Sequence, residues 1–393
     1  MRRKVCFITG TRADYGIMSR LMGMLRDRNE IELQIIATNM HLSPEYGLTY
    51  REIESDGFKI SRKVEMLLSS DTAAGTVKSM GLGAIGMADA LDELRPDLVV
   101  ILGDRYEMLA AASAALIFRI PIVHLYGGEV TEGAYDDAIR NAITQMATLH
   151  FTSTEEYRQR IIAMGKPAEN VWHAGSLGVE NIESEQMMSL YELNSSLGSD
   201  LKEGFLLVTF HPATAEPGLA ALQTEALLKA LETAAEDKDV LFTMPNSDTE
   251  GRVVASLVED WVRKHHDRAF AAASLGRKRY YSALSHCSAV VGNSSSGLIE
   301  APSFGVPTLN IGDRQKGRAR GNTIVDCAAT TEAVTNGLLT VLSTETRQAC
   351  SLRPVNPYAR PGSAAIITGK IMEFLAAMPN GSNTSNEAPI HMP

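Results

Sequence analysis

Residues 98–102 are five consecutive aliphatic residues, and a Gly-Asp-Arg turn follows them immediately. An apolar run of this length is typical of a strand that is buried on both faces of a sheet. Further apolar runs occur at residues 5–9, 31–38, 120–125, 205–209, 240–244 and 289–291, and helical patterns separate them. Apolar strands that alternate with helices predict parallel sheets covered by helices on both faces. We therefore expect an α/β fold built from doubly wound, Rossmann-like sheets.

The length of the chain and a break in its pattern predict two such domains. A chain of 393 residues is too long for one ordinary hydrophobic core. The alternation weakens over residues 181–199, which are rich in Glu, Ser, Met and Asn, and then restarts. The predicted units are an N-terminal Rossmann-like domain at residues 1–178, a second at residues 179–362, a helix at residues 363–378 that packs back on the N-terminal domain, and a disordered tail at residues 379–393.

Composition excludes several classes of protein. The formal net charge is −10 and no run of Lys or Arg interrupts it, which argues against a nucleic-acid partner. The four cysteines are scattered without a Cys-x-x-Cys pair, as expected in the reducing cytoplasm. The apolar run after the basic N-terminus covers only residues 5–8, too short for a signal peptide or a membrane span. We therefore predict a cytoplasmic protein with no membrane partner.

One motif resembles a dinucleotide site and is rejected. Residues 81–86 match the Gly-x-Gly-x-x-Gly pattern of nicotinamide-binding folds letter for letter. That pattern requires a strand directly before it, whereas residues 71–80 are polar and small. The sequence predicts a glycine-rich helix face or a loop near the cleft here, and no nicotinamide cofactor.

The stretch at residues 290–300 has the features of an anion site. A buried strand ends in a turn at Asn293, and Ser294 and Ser295 open a short helix whose free N–H groups favour phosphates. Glu300, in the second turn, would repel a bare phosphate, but its carboxylate can accept both hydroxyls of a sugar diol. A nucleoside diphosphate meets both demands. The alternative is an ordinary serine cap followed by a solvated Glu.

Two basic loops could complete this site. Arg12 follows the first strand and could bind a phosphate through two guanidinium N–H groups. A surface arginine in a turn is an equal alternative. Arg314, Lys316 and Arg318 lie within five positions of one another and predict a local positive pocket for a diphosphate.

Acids and a histidine follow other strands and should converge at the same edge. Asp104 ends the most apolar strand and is our first candidate for proton transfer, unless it caps the next helix and pairs with Arg105. The remaining candidates for catalysis are Tyr126, Glu129, Asp136, Asp137 and His211. A metal site made by His124, Glu129 and Asp136 is conceivable, but the spacing is not that of metal ligands, and we predict no metal.

Taken together, these motifs resemble the hydrolysing UDP-N-acetylglucosamine 2-epimerases. The resemblance covers about residues 4 to 375. It rests on Gly10-Thr11-Arg12-Ala13-Asp14-Tyr15, Gly103-Asp104-Arg105, Gly127-Gly128-Glu129, Asp136-Asp137-Ala138-Ile139-Arg140, His211-Pro212, Pro245-Asn246, residues 292–297, Glu300 and residues 312–318, in that order. Each motif is weak alone, and their order is specific.

The resemblance implies a glycosyltransferase-B fold with a central cleft and hydrolysis of a UDP-2-acetamido sugar with inversion at C2. The products would be UDP and an N-acetylmannosamine-type sugar for nonulosonate (sialic-acid-like) synthesis. It implies a homodimer or homotetramer and no cofactor. By the same resemblance, Asp104, Asp136 and His211 are catalytic, and UDP is bound by Arg12, Arg105, Asn246, Ser274, Gly276, Arg277, Asn293, Ser294, Ser295, Glu300 and Arg314.

One position departs from the family pattern. Related enzymes have Glu three residues before the Gly-Gly-Glu glutamate, and this chain has Tyr126. Proton transfer could pass to Tyr126, to Glu129 or to Asp137. The change could also signal a different sugar, the 2,4-diacetamido-2,4,6-trideoxy (bacillosamine-type) analogue of UDP-N-acetylglucosamine.

Elementary chemistry orders the steps of such a reaction. The C2 proton is not acidic until departure of UDP builds positive charge at C1. The protein must therefore stabilise the leaving diphosphate before a carboxylate takes the proton, and hydration of the glycal then returns a proton to the other face. A non-hydrolysing epimerase, a glycosyltransferase of the same fold and a nucleotide-sugar sensor without turnover are the alternatives.

Overall fold

The computed structural model describes residues 2–68, 70, 72–132, 135–213, 216–245 and 250–379. Within these residues the chain forms two parallel sheets. The first has the order β3-β2-β1-β4-β5-β6-β7. Its strands are β1 (Arg3–Thr9), β2 (Ile31–Thr38), β3 (Arg62–Val64), β4 (Leu98–Leu102), β5 (Ile122–Leu125), β6 (Leu149–Thr152) and β7 (Val171–His173).

The second sheet repeats this winding with the order β10-β9-β8-β11-β12-β13. Its strands are β8 (Leu206–Thr209), β9 (Val240–Thr243), β10 (Ala269–Ala272), β11 (Ala289–Gly292), β12 (Thr308–Ile311) and β13 (Ile324–Cys327). In both sheets the strand order reverses beside the first strand, so that a crevice opens at the carboxyl ends of the strands.

Helices connect the strands. They are α1 (Arg12–Arg26), α2 (Tyr50–Ser55), α3 (Ala73–Leu94), α4 (Tyr106–Ile117), α5 (Asp136–Met146), α6 (Glu155–Ala163), α7 (Leu177–Ser184), α8 (Leu190–Leu197), α9 (Ala220–Ala234), α10 (Gly251–Lys264), α11 (Gly276–His286), α12 (Ser295–Ile299), α13 (Thr331–Leu342), α14 (Thr344–Leu352) and α15 (Ser363–Ala377). No helix within the described ranges is long and apolar enough to cross a membrane.

Both faces of the central strands are buried, which explains their unbroken apolar sequence. Along β1, Val5 and Phe7 pack in one core, whereas Cys6 and Ile8 pack in the core on the opposite face. Alternate side chains of a strand point to opposite faces, so each face needs its own apolar set.

The structure differs from the sequence-based elements at the sheet edges. The strands β3, β7 and β13 were not predicted, because each is only three or four residues long and includes polar side chains. The pattern of residues 43–56 predicts one helix, but only residues 50–55 are α-helical. Two 3-10 turns occupy residues 39–42 and 44–46, and Gly47 has a φ of 85°. The predicted domain boundary between residues 178 and 179 falls inside the helix α7.

The glycine motif at residues 81–86 lies in the interior of α3. A Cβ on Gly83 would come within 2.8 Å of Met66 Cε, and a Cβ on Gly86 within 2.6 Å of Val64 Cγ1. These glycines let the helix pack closely against Val64 of β3 and against Met66, two residues beyond Val64.

The last helix, α15, packs on the first sheet's layer. Its buried residues Ile367, Ile371 and Leu375 share a core with Met18 of α1. The Glu180 carboxylate accepts a hydrogen bond of 2.7 Å from Ala364 N near the start of α15. The predicted disordered tail lies outside the described residues except for residue 379.

Candidate active site

The carboxyl ends of the two sheets enclose two adjoining cavities. The larger, of about 290 Å³, has walls from both sheets, including Arg12 and Thr49 on one side and His211 and Glu300 on the other. The smaller has a volume of about 170 Å³. Both cavities are lined by Thr11, Ala13, Ile17, Ser295 and Arg314. Ser295 and Arg314 therefore stand on the boundary between the two cavities.

The turn after β11 is built around Asn293. Gly292 has a φ of 133°, and a Cβ there would lie 1.9 Å from Thr209 O, so only glycine allows the turn. The Asn293 amide donates to His211 O at 2.8 Å and accepts from His211 N at 2.7 Å. Its backbone oxygen accepts from Arg314 Nη1 at 3.1 Å. Asn293 thus positions the loop of His211 through its side chain and contacts Arg314 through its backbone oxygen.

Glu300 is buried in the wall of the larger cavity, so the alternative of a solvated helix residue is wrong. Burial raises the pKa of its carboxyl to about 7. Within the described residues, its Oε2 has no hydrogen-bond partner, and the same holds for Ser296 Oγ and Tyr280 OH on the same wall. A buried polar atom without a partner is costly, so this wall is suited to a ligand that supplies hydroxyl donors.

Ser294 caps the short helix α12, and its hydroxyl accepts from Ser296 N at 3.4 Å. Ser295 follows as the first helical residue and lines both cavities. The backbone N–H groups at this helix start are suited to an oxyanion.

Arg12 reaches across the cleft. Its guanidinium donates to Ser274 O at 3.1 Å and pairs with Glu52 at 2.5 Å. A Cβ on Gly276 would lie 2.0 Å from Arg12 Nη2, so the missing side chain makes room for the guanidinium. The alternative of a surface arginine is wrong, since Arg12 touches the second sheet's loops. Arg277 is held at this wall by Glu185 at 2.6 Å.

The basic loop at residues 312–318 does not form one positive pocket. Arg314 lies between the cavities, whereas Lys316 is exposed and 3.9 Å from Glu132. Arg318 is buried in an ion pair with Glu129, although it also lines the smaller cavity. The predicted cluster of three cations is therefore wrong for Lys316.

Asp104 and Asp136 both line the smaller cavity. Asp104 forms an ion pair with the fully buried Arg140, whereas Arg105 pairs with Glu107 at 2.6 Å. The cap residue of α4 is Arg105, and its side chain makes no capping hydrogen bond to this helix. The alternative that Asp104 caps this helix and pairs with Arg105 is therefore wrong.

Three other candidates lie behind the cavity wall. Within the described part of the chain, the cavity linings do not include Tyr126, Glu129 or Asp137. Glu129 accepts from Ser153 Oγ at 2.7 Å and pairs with Arg318. Asp137 accepts from Arg140 Nη1 at 3.1 Å, and Tyr126 OH lies 3.0 Å from Ser176 Oγ. Asn246, predicted to bind UDP, lies outside the described residues.

The possible metal set is not assembled. His124 uses both ring nitrogens in hydrogen bonds to Thr144 and Gly103. Among the described residues, no group of three His, Cys, Asp or Glu side chains could hold a metal ion.

Sequence reasoning assigned no role to several residues that the structure brings to the site. Arg140 donates to Glu129 O at 2.7 Å and to Thr131 Oγ1 at 2.8 Å besides its pair with Asp104. Tyr280, Ser296 and Glu52 line or adjoin the larger cavity. The arginine inside the amphipathic helix α5 was the one available signal, because a charge on a buried helix face needs a partner.

Comparisons with known proteins identify the family of this chain. Residues 24–372 match the family described as UDP-N-acetylglucosamine 2-epimerase. The chain is 41% identical over 325 residues to the GDP/UDP-N,N'-diacetylbacillosamine 2-epimerase (hydrolyzing) of Campylobacter jejuni, covering 83% of this chain and 84% of that protein. It is 34% identical over 343 residues to the UDP-N,N'-diacetylbacillosamine 2-epimerase (hydrolyzing) of Legionella pneumophila, covering 87% and 90%.

Solved structures share the fold. The UDP-GlcNAc 2-epimerase of Neisseria meningitidis bound to UDP-GlcNAc has a TM-score of 0.77 at 16% identity, covering 94% of this chain and 100% of that one. The Methanocaldococcus jannaschii UDP-GlcNAc 2-epimerase in complex with UDP-GlcNAc and UDP has a TM-score of 0.78 at 18% identity, covering 94% and 99%. The predicted α/β fold with two Rossmann-like, glycosyltransferase-B-type sheets is confirmed. Because the family match spans most of the chain and two relatives exceed 30% identity over more than four-fifths of it, this protein belongs to the UDP-N-acetylglucosamine 2-epimerase family and is an enzyme.

Proposed function

We propose that this enzyme hydrolyses a UDP-2-acetamido sugar with inversion at C2, releasing UDP and a free mannosamine-type sugar. The main support for this proposal is that Ser295 and Arg314 line both cavities. A diphosphate at this boundary would direct its nucleoside into the larger cavity, with its ribose hydroxyls on Glu300. The sugar would then enter the smaller cavity, beside Asp104 and Asp136.

For the sugar, we propose UDP-N,N'-diacetylbacillosamine. The relatives from Campylobacter jejuni and Legionella pneumophila carry this sugar in their names. The smaller cavity has the apolar residues Ala13, Ile17 and Leu102 in its lining, which suit the methyl group of a 6-deoxy sugar. UDP-N-acetylglucosamine is the second candidate, because a relative from Neisseria meningitidis at 31% identity is a UDP-N-acetylglucosamine 2-epimerase. Either product would feed the synthesis of sialic-acid-like nonulosonates.

In the first step the C1–O bond breaks and UDP leaves with the electron pair. Arg12, Arg314 and the N–H groups at the start of α12 surround the boundary where the diphosphate would lie. Preorganised donors of this kind stabilise the developing charge without having to reorient. His211 lies on the wall of the larger cavity, and we propose that it assists the departure of UDP from that side.

In the second step a carboxylate removes the C2 proton and a glycal forms. Asp104 is our candidate, because it faces the smaller cavity and is held there by Arg140. Asp136 is the candidate that then protonates C2 from the opposite face, while water adds OH at C1 and its remaining proton restores Asp136; Asp104 releases the proton it took from C2 to solvent. Tyr126, Glu129 and Asp137 are proposed to hold this arrangement in place, the last two through Arg140.

The substitution Asp104→Asn tests this assignment. We expect turnover to fall by at least about 10³-fold, while UDP affinity measured by calorimetry stays within about threefold. The exposed Asp92→Asn is the matched control, since it makes the same change of charge away from the cleft. An equal loss of UDP affinity in D104N, or turnover close to that of D92N, would remove Asp104 from the chemistry.

We further propose that the enzyme works in the cytoplasm as a homodimer or homotetramer without a cofactor. The four free cysteines fit a reducing compartment. Sedimentation of the purified protein gives the oligomeric state, and a monomer would refute this part of the proposal.

A further inference from the structure

A buried histidine that the proposed mechanism does not use lies between the two elements that carry Asp104 and Asp136. His124, in β5, is fully buried. Its Nε2 lies 2.8 Å from Gly103 O, and its Nδ1 lies 3.1 Å from Thr144 Oγ1.

The partners of His124 determine where its proton resides. A backbone carbonyl can only accept a hydrogen bond, so Nε2 must carry the proton that points at Gly103 O. In a neutral ring Nδ1 is then an acceptor, and the Thr144 hydroxyl donates to it. Burial lowers the pKa of His124 to about 4, so the ring stays neutral near pH 7.

The two hydrogen-bond partners of the His124 ring lie on the elements that carry the proposed catalytic acids. Gly103 precedes Asp104, and its own N–H donates to Leu125 O at 3.0 Å, so both polar groups of Gly103 are held by β5. Thr144 lies about two helical turns after Asp136 on α5. One imidazole ring thus joins the turn that bears Asp104 to the helix that bears Asp136.

The glycine at position 127 supports this interpretation independently. A Cβ on Gly127 would lie 2.9 Å from both His124 Nδ1 and Thr144 Oγ1. A side chain there would push apart the hydrogen bond between them. The first glycine of the Gly-Gly-Glu motif therefore leaves room for the hydrogen bond between His124 and Thr144.

We propose that His124 is a positioning residue that fixes the distance between Asp104 and Asp136 across the smaller cavity. This inference rests on the proposed function, since it assigns the two acids to the C2 chemistry. Misplacing a reacting group by about 1 Å can cost on the order of 10²-fold in rate. Loss of the ring should therefore lower kcat and leave UDP binding in the other cavity intact.

The experiment compares three variants with the wild-type enzyme on both candidate UDP sugars. H124L removes both hydrogen bonds, and H124Q keeps an amide donor that can reach Gly103 O. H150L is the matched control, because His150 is equally buried and is the register partner of His124 on β6. Among the described residues, no hydrogen bond joins the His150 ring to Gly103 or Thr144.

We expect H124L to lower kcat by about 10- to 100-fold, with KM and the Kd of UDP changed less than about threefold. H124Q should recover part of the loss, and H150L should stay within about twofold of wild type in kcat. Equal losses in H124L and H150L, or a parallel loss of UDP affinity, would overturn the proposal, since both indicate a general effect on folding.

A second pair covers the case in which H124L does not fold. T144V removes the hydroxyl donor and T144S keeps it, so T144V should lower kcat at least about fivefold more than T144S. Equal kcat values in the two variants would contradict the positioning role.

Ring ¹⁵N NMR of His124 needs no turnover and separates this inference from the proposed function. A proton on Nε2 at pH 7 supports the positioning role, and a proton on Nδ1 overturns it. A wild-type enzyme that turns over neither sugar refutes the proposed function instead.

Discussion

Glu300 shows how a single carboxylate can be kept ready for one ligand. It is buried, its Oε2 has no partner within the described residues, and burial raises the pKa of its carboxyl to about 7. In the proposed complex the ribose hydroxyls donate to this carboxylate, which favours its ionised form. The free enzyme thus bears a cost that nucleotide binding relieves.

The raised pKa makes the stability of the free enzyme depend on pH. The pKa of Glu300 is about 4.5 in the unfolded chain and about 7 in the folded protein, so stability is lost as pH rises between these values. Full ionisation against burial costs on the order of 3 kcal/mol. We expect E300Q to gain up to that amount over wild type between pH 4.5 and pH 7.5 in urea unfolding. The exposed Glu259→Gln is the control, and a flat E300Q difference would contradict the burial argument.

The same carboxyl should couple nucleotide binding to proton release. If UDP binds the ionised form, wild-type binding at pH 6.5 should release part of a proton that E300Q binding does not release. Calorimetry in buffers of different ionisation enthalpy measures this difference. The affinity of E300Q should fall about tenfold, because one ionised acceptor is lost. Equal proton release by the two proteins would exclude Glu300 from the ribose site.

At the scale of elements, one buried ion pair joins the two sheets' loops. Glu129 follows β5, and Arg318 follows β12, yet the two side chains form a buried pair. Glu129 O also accepts from Arg140, which holds Asp104. The loop that carries Arg314 is thereby connected to the loop that carries the proposed base.

Removing one partner of this pair leaves a buried charge unpaired. We expect E129Q and R318M each to lower the free energy of unfolding by about 3–5 kcal/mol, and the double variant to lower it by much less than the sum. The exposed pair Asp260–Arg263 should show a coupling below about 1 kcal/mol in the same measurement. Additive effects of E129Q and R318M would mean that the two side chains do not interact.

The sequence predicted which strand ends carry site residues better than it predicted the contacts between those residues. Apolar strands followed directly by polar turns identified Asp104, His211 and residues 292–300 at the carboxyl edge, because periodicity and turn residues are local signals. The edge strands β3 and β13 were missed, since short strands exposed on one side carry little apolar pattern. The pairing of Glu129 with Arg318, 189 residues apart, depends on tertiary packing and has no local signature.

At the scale of the whole molecule, buried histidines limit stability in acid. Burial lowers the pKa of His41 and His124 to about 4 and that of His150 to about 3. Their unfolded forms take up protons near pH 6.5, so stability is lost as pH falls from 6.5 towards 4.

The contribution of each buried histidine to the loss of stability in acid should be measurable separately. We expect H150L to flatten the fall of unfolding free energy between pH 6.5 and pH 4 by roughly 3 kcal/mol, by the pKa-to-energy conversion for its shift. Urea unfolding at four pH values measures the slope, and the exposed His266→Leu provides the control. An unchanged slope in H150L would show that His150 is not held neutral by burial.

The proposed mechanism requires that UDP leaves before C2 inverts and that water, not UDP, completes the reaction. Turnover of UDP-N,N'-diacetylbacillosamine in D₂O, followed by ³¹P and ¹H NMR, tests this most directly. This mechanism predicts stoichiometric free UDP and a free 2,4-diacetamido-2,4,6-trideoxymannose that carries deuterium at C2. A C2-inverted sugar still joined to UDP, or a product with hydrogen retained at C2, would contradict it.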